Sequence, residues 1–100
     1  MNELKMLQVE QKTGLPRHRV HYLITKGLIE PRMVTKGKRK EYIFTQRQVL
    51  SLMAYAGLRS VGFDVGRAIE IAQTNEALVH TPIEILWKER ERALGDIENG

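Results

Sequence analysis

The chain has 100 residues, of which 42% are hydrophobic and 28% charged, enough for one small domain around a single core. It contains no cysteine, which excludes disulfides, thiolate metal sites and cysteine nucleophiles, and no apolar run long enough to span a membrane. Net charge is +4, yet residues 1–44 carry ten Lys/Arg against four Asp/Glu and residues 45–100 carry six against eight. The cations therefore gather in the first half, where they would attract a polyanion such as nucleic acid.

The first residues do not read as a secretory leader, because Glu3, Lys5 and Glu10 interrupt any apolar stretch. A cytoplasmic protein is the expectation. A short first helix is predicted over about residues 5–13, stopped by Thr13-Gly14, with Met6 and Val9 towards a core. Leu4 and Leu7 leave its inner face open. Pro16 stands where a second helix should begin, since a missing N–H costs little at the first helical position. Gly27 ends that helix. Two short helices joined by a tight Gly-containing turn read as a helix-turn-helix.

On the second helix, spacing at 100° per residue puts Val20, Leu23 and Ile24 on one face. His18, Tyr22 and Thr25 point away from it, His21 and Lys26 flank, and Arg17 and Arg19 lie at the margins. These side chains donate hydrogen bonds and carry no negative charge, which suits phosphates and base edges. Tyr22 faces either a DNA contact or the segment that follows. That segment, PRMVTKGKRKEYIF at 31–44, is predicted to be a hairpin turning at Lys36-Gly37, with Met33-Val34 and Tyr42-Ile43-Phe44 on its arms. Lys36, Lys38, Arg39 and Lys40 crowd its tip, with Arg32 just before. A basic hairpin behind a helix-turn-helix is a wing, and wings lie along the DNA backbone or enter the minor groove.

Thr45-Gln-Arg-Gln48 has capping-box spacing and opens a long helix through Val49, Leu52, Met53 and Ala56, broken at Gly62. Asp64 caps a further helix through Val65, Ala68, Ile69 and Ala72. Thr81-Pro-Ile-Glu84 repeats the capping logic, and a last helix runs towards Ile97.

With these residues in order, the chain resembles the MerR-type winged-helix transcription regulators over about residues 6–73. The resemblance rests on T-G-L-P-R-H-R-V-H-Y at 13–22, G-L-I-E-P at 27–31, Y-I-F-T at 42–45 and L-R-S-V-G-F-D-V at 58–65. It implies phosphate contact by Tyr22 and base or backbone contact by Arg17, His18 and Arg19. It also implies a second helical pair over 58–72, with Arg59 and Arg67 as its basic candidates. Three positions depart from the pattern: His21 stands in place of arginine, Leu23 in place of a second tyrosine, and Tyr42 in place of a wing arginine. The wing role then passes to Arg39 or Lys40.

The expected architecture is mainly α, a winged helix-turn-helix over residues 1–75 with a C-terminal helix over 76–100. MerR-type regulators carry a long dimerising helix and an effector-sensing region, whereas the last helix here is about four turns, or ~24 Å. Ile83, Leu86, Arg90, Ala93 and Ile97 could form a short homodimer seam, or Ile83, Leu86 and Trp87 could pack on the domain's own core. No cofactor, metal or small-molecule effector site is evident, and Ser51 and Ser60 have no His-Asp arrangement around them, so no enzyme is expected. The expected activity is sequence-specific binding of double-stranded DNA by a dimeric transcription regulator. An excisionase-like or architectural DNA-binding factor, and a MerR-like protein-binding modulator, are the alternatives.

Overall fold

The computed structural model describes residues 3–99, and the side chains of all of these except 75, 76 and 95–99. The order is β1 (Glu3–Lys5), α1 (Met6–Thr13), α2 (Arg17–Thr25), β2 (Arg32–Lys36), β3 (Arg39–Thr45), α3 (Gln46–Ser60), α4 (Val65–Ala72), α5 (Asn75–Val79) and α6 (Pro82–Asn99). The chain is thus mainly α, a winged helix-turn-helix with a small antiparallel sheet and a C-terminal helix.

Strand β3 is central, with β1 and β2 on either side. Glu3 pairs with Thr45 and Lys5 with Ile43, while β2 runs from Arg32 opposite Ile43 to Lys36 opposite Arg39. Strand β1 has no counterpart in the sequence reading. Leu4 belongs to it, opposite Phe44, and not to the first helix. The inner face of α1 is then fixed: Val9 is buried and Met6 part-buried, while Leu7 is 60% exposed. The loop of the hairpin is Gly37-Lys38, one residue later than predicted, because Lys36 already pairs with Arg39. Gly37 takes φ 63 there, a left-handed value that a two-residue hairpin loop requires and glycine adopts without strain.

Pro16 is the N-cap of α2 and Arg17 its first helical residue, again one position later than predicted. At the other end Gly27 (φ 72) donates its N–H to Ile24 O at 3.0 Å and Leu28 donates to Leu23 O at 2.9 Å. This paired closure satisfies two carbonyls that the helix would leave orphaned and turns the chain sharply towards the wing. Thr45 caps α3 as predicted, with Gln48 N–H donating to Thr45 Oγ1 at 3.1 Å and Thr45 N–H to Gln48 Oε1 at 2.9 Å. The same glutamine's Nε2 donates to Glu30 O at 2.9 Å and so pins the segment entering β2.

Val9, Val20, Leu23, Phe44, Leu52 and Leu58 are fully buried and join α1, α2, the sheet and α3 into one core. Met53, placed on the inner face of α3 from the sequence, is 45% exposed; Tyr55, 2% exposed, fills the inner face instead. Asp64 Oδ1 accepts from Arg67 N–H at 2.8 Å and starts α4, whose Ala68, Ile69, Ile71 and Ala72 are buried. The short helix α5 was not foreseen.

Helix α6 docks through Ile85, only 3% exposed, and through Arg67, whose Nη2 donates to Glu89 Oε1 at 2.6 Å. That hydrogen bond holds the Glu89 carboxyl below its ordinary range and raises the arginine further. The alternative in which Ile83, Leu86 and Trp87 pack inwards is corrected. Ile83 and Trp87 are each 58% exposed, because one helix face meets the body and Ile85 occupies it. Ile97 lies outside the described side chains.

Candidate nucleic-acid interface

An aromatic contact joins helix α2 to the wing. The His21 and Tyr42 rings meet edge to face, 5.9 Å between centroids. Alternation along β3 explains the contact. Phe44 points into the core, Tyr42 on the same face is half-buried under α2, and Lys40 continues that face into solvent. His21 also lies 3.5 Å from Thr25 Oγ1 through Nδ1. His21, expected among the contact residues, is therefore placed where it can orient the wing relative to α2.

Arg17, His18 and Arg19 are all exposed on the first turn of α2. Arg17 reaches back to Glu10 of α1 at 3.8 Å. His18 and Arg19 border a groove shared with Tyr55 and Arg59 of α3. Tyr22 is 48% exposed, and Lys26 Nζ stands 5.7 Å from the centre of its ring. The wing's own tyrosine, Tyr42, meets α2 through His21.

At the wing, Lys36 and Lys5 each approach Glu41 Oε2 at 3.8 Å. Arg32 donates to Glu3 Oε1 at 2.7 Å. Sequence reasoning did not foresee that Glu41 and Glu3 relieve part of the crowding among the wing cations. Period-two alternation carried that information, since Lys36, Glu41 and Lys5 fall on one face once the strands are paired. Arg19, Lys26, Lys38, Arg39 and Lys40 have no acidic partner among the described residues.

The two basic candidates of the second helical pair are spoken for. Arg59 Nη1 donates to Phe63 O at 2.7 Å and closes the turn after α3, while Arg67 is held by Glu89 and Glu70. No group of three or more His, Cys, Asp or Glu side chains that could hold a metal occurs among the described residues. Nor is any described helix long and apolar enough to cross a membrane.

This arrangement of helix-turn-helix, aromatic joint and basic wing coincides with a family match. The profile of the MerR HTH family regulatory proteins matches residues 4–75. The chain belongs to the MerR family. The match takes in every residue named above in α1, α2 and the wing, and it makes the chain a DNA-binding regulator of the MerR type. No curated protein matches it significantly. Within this MerR-type unit the exposed cations stand on α2 and on the wing.

Proposed function

We propose that this MerR-type chain binds double-stranded DNA sequence-specifically and regulates transcription as a homodimer on a two-fold symmetric site. Residues 1–75 form the DNA-binding unit and 76–100 the dimerising element. The observation that carries the reading is the His21–Tyr42 contact, which couples α2 to a wing whose Lys38, Arg39 and Lys40 lack acidic partners among the described residues. A helix and a wing held at one angle can occupy a groove and the flanking backbone together. Arg17, His18 and Arg19 then meet bases or backbone, Tyr22 meets a phosphate, and Lys36, Lys38, Arg39 and Lys40 follow the backbone beside the groove. Exposed Ile83, Trp87 and Leu94 on α6 supply an apolar stripe at four- and seven-residue steps for a second copy.

Affinity measurements on specific and random duplexes test the division of labour. Lys38→Ala and Arg39→Ala should weaken both about equally, each flattening the salt slope by about one. Changing His18 or Arg17 should instead cost about 1–3 kcal/mol on the preferred sequence alone. Equal losses on both duplexes for every variant would mean that α2 reads no bases.

A further inference from the structure

Between α1, α2 and the wing lies a half-open cavity of about 520 Å³. Its volume falls within the range of small-molecule sites. Met6, Leu7 and Tyr42 supply apolar wall, and Lys5, Arg17, Arg39 and Lys40 supply cations around it. Glu41 also lines it but is approached by Lys5 and Lys36 at 3.8 Å, so the cavity keeps a positive balance. One side is the edge of β3. Pairing with β1 stops at Lys5 opposite Ile43, and no described strand covers residues 39–42 on that side, which leaves main-chain donors and acceptors open there.

Phosphate backbone alone would make use of the cations but not of Leu7. That side chain is 60% exposed, and Met6 and Tyr42 stand beside it on the cavity wall. Apolar wall with convergent cations is the pattern of a site for a ligand with two chemical ends. We propose that the cavity binds a small amphipathic organic anion. An apolar ring or short chain lies on Met6, Leu7 and Tyr42, and a carboxylate, sulfonate or phosphate head is held by Arg17 and by Lys40, which shares the Tyr42 face of β3. Resting on the DNA reading above, the consequence is competition: those two cations cannot serve ligand and DNA at once, so the bound anion releases the wing. The sequence gives no hint of this site because three separate segments assemble it.

Anilinonaphthalene sulfonate, two apolar ring systems with one anionic head, is a suitable probe for the full chain. Its fluorescence should rise saturably at a single site. Leu7→Gln, at an exposed position outside the core, and Lys40→Gln should each weaken binding about tenfold, the worth of one good contact. Val79→Gln on α5, at an exposed position remote from the cavity lining, should leave it unchanged. Unlabelled duplex DNA should displace the probe from the wild type. Unchanged affinity in Leu7→Gln, or loss in Val79→Gln instead, overturns the site. A ternary complex with DNA overturns the competition. Probe binding that depends on Leu7 in a chain that binds no DNA upholds the cavity while the DNA reading fails; DNA binding without such probe binding does the reverse.

Discussion

Tyr22 carries the sharpest question at the scale of single residues. Its backbone sits on α2 between buried Leu23 and exposed His21, and its ring leans towards Lys26 and away from any core partner. An exposed aromatic with a cation 5.7 Å from its ring centre presents a hydroxyl to whatever approaches the helix. Tyr22→Phe removes that hydroxyl and keeps the ring. Melting temperature should stay almost unchanged while DNA affinity falls by about 0.5–1.5 kcal/mol, the net worth of a hydrogen bond. A destabilised variant with normal affinity once folded would remove the phosphate contact from Tyr22. Much of this was legible beforehand, because Val20, Leu23 and Ile24 define one face and Tyr22 falls opposite. The role of His21 was not. Its partner Tyr42 lies on a different element, and no local periodicity connects them.

At the scale of elements, legibility follows local patterning. Thr45/Gln48 and Asp64 announced α3 and α4 because a cap is a short-range interaction between neighbours in sequence. Strand β1 is three residues, Glu-Leu-Lys, and acquires its identity only by pairing with β3. Helix α5 is a single short turn region with the same difficulty. Helix α6 misled for another reason: two apolar stripes overlap on it, and spacing alone does not say which one meets the body. Ile85 does, through α3 and its neighbours, and the other stripe is left outside. If that outer stripe joins two copies, Trp87→Glu should shift the weight-average mass in equilibrium sedimentation from dimer to monomer at micromolar chain. It should leave the melt of the DNA-binding unit intact, since Trp87 is 58% exposed. A wild type that stays monomeric at high concentration would leave the two-fold site without support.

The whole molecule is elongated, 60 × 25 × 19 Å, with described side chains 90–94 of α6 all exposed beyond the last contact at Glu89. Charge is distributed along it unevenly. The helix-turn-helix and wing hold the excess of cations, whereas on α4 and α6 Arg67 and Arg92 are paired with Glu70 and Glu89. Five cations on α2 and the wing have no acidic partner among the described residues, and Arg17 and Lys36 reach theirs only at 3.8 Å. If DNA takes them up, about five to seven phosphates are neutralised, and counterion release sets the salt dependence at roughly −0.9 per contact. The central claim therefore rests on one titration, duplex DNA affinity of the unmodified chain across a range of salt concentrations. A plot of log K against log salt should be linear with a slope of roughly −4.5 to −6.3. A slope near zero, or no binding even at low salt, would contradict the DNA-binding account and favour a protein partner for the same surface.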